Sequence, residues 1–238
     1  MDFCDYLYIN DGGSTDGTLD ILYALRDEYG SDRVKLFERE WTHDRKFWTD
    51  QKNFLIEQAP DDHYVLCMDV DEVMHEKDID KFRKFADEGH QALSFPFIHF
   101  YGRPTHYSKN PTWYKRHTRM WKKSTGIKLI HRPGGCADDV LWPNGQPAHF
   151  SGYKNTGILF YHYSWCRHPR AFAMKQKKAD DIYQNSLDYV NGALPEKRSY
   201  DYRFDPDQLG KFTGSHPKYV AKWYMEHKNQ PTKYVMED

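Results

Sequence analysis

Tyr64-Val-Leu-Cys-Met-Asp69-Val-Asp71-Glu72-Val-Met-His75-Glu76 is an apolar run that ends in three acids within four positions. An uninterrupted apolar run of this length predicts a strand buried on both faces in a parallel sheet. Open sheets of that kind bind ligands beyond the carboxyl ends of their strands, where Asp69 and Asp71 emerge. Alternate residues leaving a strand point the same way, so the two carboxylates can converge on one cation. Oxygen ligands select a hard cation, Mg²⁺ or Mn²⁺, which usually keeps positions open for substrate phosphates. The competing reading is a solvated acidic turn after a core strand, because a bare Asp-x-Asp also arises by chance.

Upstream, residues 5–10 read as a strand that runs into Asp11-Gly12-Gly-Ser-Thr-Asp16-Gly-Thr18 and then a helix over 19–29. Ser14, Thr15 or Asp16 can cap that helix, and a small loop at a helix N-terminus receives anions well. Asp11 stands at a strand tip as Asp69 does, and a carboxylate there can hold a uracil or ribose edge. The bland alternative is a well-capped strand-to-helix turn. A short strand at 33–37 and a helix over 46–59, stopped by Pro60, complete the approach to the central run. Lys52 and Asn53 lie near the middle of that helix, facing either a nucleotide or solvent.

The chain has 238 residues, enough for one domain with a substantial core. Lys+Arg of 34 against Asp+Glu of 35 gives a net charge of −1, so no global field recruits nucleic acid. Cys4, Cys67, Cys136 and Cys166 form no C-x-x-C pair, which predicts free thiols and a reducing, cytoplasmic setting. Neither a transmembrane-length apolar run nor a basic-then-apolar leader occurs.

Downstream, 76–89 reads as an amphipathic helix and 92–101 as a strand whose Pro96 predicts an edge or a bulge. Arg103 to Ala137 contains no acid but carries nine Lys or Arg residues, with alternation over 112–123 that predicts a half-exposed strand. That run suits an anionic acceptor, a diphosphate clamp, a nucleic-acid backbone, or simply a solvated basic face. Asp138 and Asp139 follow on a Gly134-Gly135 loop, and His162 lies in an apolar strand over 158–163. A long helix over 170–190 and a last one over 218–227 close the chain.

Asp11-Gly-Gly-Ser-Thr-Asp-Gly-Thr18, then Gln51-Lys-Asn53, then Val65-Leu-Cys-Met-Asp69-Val-Asp71-Glu72 resemble, in order and spacing, a family 2 glycosyltransferase of the GT-A fold. Tyr161-His162-Tyr-Ser-Trp165 and Phe212-Thr-Gly-Ser-His216-Pro217 are similar to segments of bacterial and phage members. The resemblance is firm over 5–76 and diffuse beyond. It implies one α/β domain with a mixed, Rossmann-like sheet flanked by helices and a C-terminal helical cover. The nucleotide-binding half would span about 1–100 and the acceptor half about 101–238. It also implies inverting transfer of a hexosyl-type sugar from a nucleotide diphosphate, UDP-linked by expectation, to a glycan, lipid-linked or other hydroxyl. By position, Asp11 and Gly12 with Lys52, Asn53 and Asp69 would hold nucleoside and ribose. Asp71 with His162 would hold Mn²⁺ or Mg²⁺, and Asp138 or Asp139 would be the base. Rival readings are a sugar nucleotidyltransferase, a non-catalytic sugar-nucleotide or glycan-binding remnant, and a DNA-modifying glycosyltransferase.

The resemblance is incomplete at its start. Family members begin with a further strand and helix, and that strand lies between those read here at 5–10 and 64–69. Unpaired edges there are costly. The expectation is that these two strands close up directly or take a strand from a partner, with the segment 232–236 as a less favoured insert. Donor affinity should then be poor.

Overall fold

A computed structural model describes residues 4–42, 46–110, 115–131, 138–148, 152–166 and 208–229. The first unit is a parallel pair, β1 (Leu7–Asp11) and β2 (Val34–Glu38), connected by helix α1 (Thr18–Tyr29). Helix α2 (Phe47–Gln58) leads to β3 (Tyr64–Leu66), the acidic turn and β4 (Glu72–Met74). Helix α3 (Ile79–Asp87) then precedes β5 (Ala92–Tyr101). Next come β6 (Arg103–Ser108), β7 (Arg116–Lys122), β8 (Lys128–His131) and β9 (Asp138–Leu141). The described chain ends through β10 (Tyr153–Asn155), β11 (Phe160–Trp165), β12 (Leu209–Lys211) and α4 (Ala221–His227). The helix expected over 170–190 and the segment 232–236 lie outside the described residues.

β5 is the spine of the main sheet. It pairs antiparallel with β7 and β6 and parallel with β10 and β11. β11 carries β4, β7 carries β3, and β6 carries β12, all antiparallel. Pro96 therefore sits in a central strand rather than at an edge. It is tolerated because the partners change there: β10 pairs only as far as Ser94, and β11 takes over at Phe97. Pro96 itself ends the ladder with β7, so little is lost by its missing N–H.

Two apolar layers cover the two faces. Phe82 of α3 stacks on Phe95, which touches Phe160, with Leu93, Met120 and Ile158 around them. On the other face Ile56 of α2 meets Trp121, Leu129 and Val140, joining α2 to the β8–β9 ribbon. The C-terminal cover packs Phe212, Val220 and Trp223 on Phe100, Tyr161 and Tyr163.

The expectation of a doubly buried β3 in a parallel ladder is corrected. β3 is three residues long, runs antiparallel to β7, and every residue in it is half-buried. Direct closure of β3 onto β1 is also corrected. Among the described residues β1 pairs only with β2, and β3 only with β7. Contact near their starts runs through side chains: the Tyr6 and His63 rings lie 5.5 Å apart. The residues of β3 and most of β1 are half-buried rather than covered. The β1–β2 pair is tied to α2 instead, through Phe37 edge-on to Phe54 and Arg39 over the Phe54 ring.

Candidate active site

The acids of the central run leave β3 in a tight turn. The Glu72 amide donates to the Asp69 carbonyl (3.0 Å), and the Asp69 amide donates to Glu72 Oε2 (3.1 Å). The turn throws Val70 fully into solvent and leaves Asp69 and Asp71 on its inner side. Arg119, buried on β7, donates to Glu72 Oε1 and reaches Asp69 Oδ2 at 3.5 Å. Asp69 Oδ1 pairs with Lys52 Nζ at 2.8 Å, and the same ammonium pairs with Asp138 Oδ2 at 3.1 Å. Thr49 donates to the other oxygen of Asp138. Asp71 lies 3.6 Å from His162 Nε2, and its carbonyl accepts from the Tyr163 amide at 2.9 Å.

Helical spacing assembles half of this. Thr49, Lys52, Asn53 and Ile56 share one face of α2 at i, i+3, i+4 and i+7. Ile56 fixes that face to the core. Asn53 Nδ2 donates to the Leu129 carbonyl (2.8 Å) and its Oδ1 accepts from the Leu129 amide (3.0 Å), replacing a strand neighbour for β8. β9 is registered on β8 with Asp138 opposite His131, so Asp138 meets Lys52 and Thr49 one turn back on the helix. Asn53 thus sets the ribbon through both of its polar atoms. Asp138 and Asp139 start a strand, not a loop, and alternation sends Asp139 to the opposite side from Lys52.

The electrostatics follow from burial against paired charge. Burial opposes ionisation of Asp69, but Lys52 and then Arg119 outweigh it and hold the carboxyl well below its usual range. Lys52 is pushed up, since Asp69 overcomes its own burial, so it stays an ammonium. Burial, with Asp69 beside it, lifts Glu72 above the usual carboxylate range despite Arg119. Cys67 is pushed up to about 11 by burial and stays a thiol next to these charges. His117 Nδ1 faces the Thr118 carbonyl and Nε2 the Asp138 carbonyl. Burial first and Arg119 second still bring it down to about 4.

A buried neutral histidine makes the fold acid-sensitive. Its folded pKa lies below the unfolded value near 6.5, so protons favour the unfolded chain as pH falls from about 6.5 towards 4. We expect His117→Gln to remove about 2–3 kcal/mol of that acid-induced loss. Urea unfolding at pH 7 and pH 4.5 measures it, and an unchanged loss in the variant would refute the assignment.

Asp11 forms its own loop. Oδ1 accepts from the Gly13 (2.9 Å) and Ser14 (2.8 Å) amides and Oδ2 from the Ser14 hydroxyl (2.6 Å). Burial works against its charge, but Ser14 and the two amides prevail and lower its pKa. Gly13 at φ 93° allows the turn. Gly12 lies against Trp41, whose amide donates to the Gly12 carbonyl at 2.9 Å. The N-cap of α1 is Gly17, at φ 84°, with no side-chain cap bond of its own, so the expected Ser14, Thr15 or Asp16 cap is replaced; Asp16, one residue earlier, accepts from the Thr18 amide at 3.2 Å.

The basic run does not assemble as one surface among the described residues. Arg119 turns into the acids, Arg116 donates to the Ser94 and Thr156 carbonyls, and Lys123 pairs with Asp61. The contribution of Arg119, Thr49 and His117 was not read from sequence. Thr49 was legible as the residue one turn before Lys52; an arginine in a basic run gives no sign that it points inward.

A hard divalent cation fits the pair Asp71–His162. Neighbouring ligands of an octahedral ion at about 2.1 Å lie about 3 Å apart, near the observed 3.6 Å. No group of three His, Cys, Asp or Glu ligands occurs among the described residues. Two protein ligands suit Mg²⁺ or Mn²⁺, which fill the rest with water and phosphate oxygens.

A structure described as "Crystal structure of S. aureus TarS 1-349" aligns with a TM-score of 0.38 and 11% identity, over 79% of this chain and 64% of that one. The chain thus spans somewhat under two thirds of that neighbour's length. Comparison with curated protein sequences gives no match. Among the described residues no helix is long and apolar enough to cross a membrane. The family model described as glycosyl transferase family 2 matches residues 3–137, more than half of the chain, and the mixed α/β sheet is consistent with its GT-A fold; the chain belongs to glycosyl transferase family 2.

Proposed function

We propose that this site transfers a sugar from a nucleotide diphosphate, UDP-linked, to an acceptor hydroxyl with inversion, using Mn²⁺ or Mg²⁺. The observation that carries the reading is the convergence of Asp69, Asp71, Lys52, Asp138 and His162 at the end of β3. Asp71 and His162 would hold the cation. When bound, it supplies positive charge to the departing diphosphate, so the leaving group needs no proton. Asp69, kept ionised by Lys52 and Arg119, accepts from ribose hydroxyls. The Asp11–Gly12 loop borders the nucleoside, with Asp11 shaping the backbone around it.

Asp138 is the base of this reading. As the acceptor oxygen attacks the anomeric carbon, its proton passes to a carboxylate oxygen of Asp138, and the bond from that carbon to the phosphate oxygen breaks with its electrons on the diphosphate. Lys52 holds Asp138 and Asp69 together while the site is empty of phosphate. An incoming diphosphate competes for the ammonium and frees Asp138 Oδ2 for the acceptor.

Thermal stabilisation by UDP with and without Mn²⁺ tests the arrangement. Wild type should gain stability from the two together, and Asp71→Asn should lose the Mn²⁺-dependent part while unfolding at the same temperature without ligand. An Asp71→Asn protein still stabilised by Mn²⁺ and UDP would remove the metal pair from the mechanism. Release of UDP from a UDP-sugar separates an enzyme from a binding remnant.

A further inference from the structure

His99 and His162 are direct neighbours in the parallel β5–β11 ladder. Their rings stand edge to face at 87°, with the two Nδ1 atoms 2.7 Å apart. His99 is buried and its ring stacks on Phe97 at 18°, so its orientation is fixed by the sheet and the core. The other nitrogen of His162, Nε2, is the one 3.6 Å from Asp71.

Only one proton fits between two nitrogens at that distance, so one Nδ1 donates and the other accepts. If His99 donated, neutral His162 would carry its proton on Nε2, aimed at Asp71. That places an N–H towards the carboxylate and leaves Nε2 no lone pair to offer a cation. If His162 donates, its Nε2 lone pair faces the carboxylate across a gap that suits a cation. We infer that His99 is a positioning residue: by accepting the His162 Nδ1 proton it presents the Nε2 lone pair of His162 beside Asp71 to a divalent cation. A buried outer partner of this kind fixes both tautomer and ring angle of a ligating histidine.

This rests on the Asp71–His162 reading above, and the test separates the two. Mn²⁺ binding is read by electron paramagnetic resonance of the free ion, with UDP present, for wild type, His162→Ala, His99→Phe and His99→Asn. Phenylalanine keeps the ring against Phe97 but accepts no proton; asparagine keeps an acceptor near the Nδ1 position. His99→Phe should weaken Mn²⁺ binding about 10- to 100-fold, with His99→Asn close to wild type. Metal-free unfolding temperature and metal-free UDP affinity should stay near wild type in both. Wild-type Mn²⁺ affinity in His99→Phe alongside loss in His162→Ala would overturn the role of His99 alone. Equal weakening in His99→Asn and His99→Phe would overturn it too, by making the acceptor irrelevant. No Mn²⁺ binding by wild type would instead bring down the metal pair, and this inference with it.

Discussion

Arg119→Met is expected to cost about 1–3 kcal/mol of folding stability, because it leaves the buried Glu72 carboxyl without its donor. Glu72 is almost wholly covered, with 1% of its side chain exposed, and Arg119 is its charged partner. Methionine fills much of the arginine's volume, so packing loss is small and the remaining charge dominates. Glu72 already lies above the normal carboxylate range; without Arg119 it must take up a proton to stay buried. The deficit should therefore shrink as pH is lowered, since a protonated Glu72 is the form the interior prefers. Adding Glu72→Gln should recover most of the loss, as the amide can still accept from the Asp69 N–H. Urea unfolding of the single and double variants measures both effects. A single variant as stable as wild type would show that the pair does not carry this strain.

The second large effect concerns Asp138. Asp138→Asn should lower turnover about 10²–10⁴-fold, the usual worth of a general base. Mn²⁺-dependent stabilisation by UDP should persist, because the metal pair and Asp69 are untouched. Asp139→Asn should change turnover little, since its side chain leaves the ribbon away from Lys52. Reversal of the two variants would move the base to Asp139 and break the link from α2 to the chemistry.

Much of the candidate site could be named from sequence because its residues sit in local patterns. The acids follow an apolar run, and Asp11 opens a loop rich in small residues; both are statements about neighbours in sequence. What was not legible depends on which element meets which. Asn53 looked like a nucleotide contact because a polar residue on a helix face has no partner in one dimension; in three it completes β8. Pro96 predicted an edge or a bulge; β5 is a central strand, but its register on β7 shifts between Leu93 and Ser94 and its other partner changes at Pro96. The apolarity of 64–68 predicted full burial, but among the described residues β3 is a short, half-buried strand paired on β7 alone. Arg119 was counted with the basic run since sequence gives its charge and not its direction. The pairing of His99 with His162 was not legible either, since it depends on the register of β5 on β11.

The open seam between β1 and β3 has a thermodynamic consequence. Backbone ladders are what make distant parts of a sheet unfold together, and among the described residues none joins β1 to β3. The β1–α1–β2 unit, whose helix buries no residue, is joined to the rest by side-chain contacts: Phe37 and Arg39 on Phe54 of α2, Tyr6 on His63 and Asp5 with Arg83. Units joined so loosely open below the global free energy, as separate foldons. In the proposed site a nucleotide would touch both: the Asp11 loop on one unit and the acids after β3 on the other. Such a ligand does more than occupy a pocket. By binding only when both units are closed, it supplies the cooperativity between them that the sheet does not.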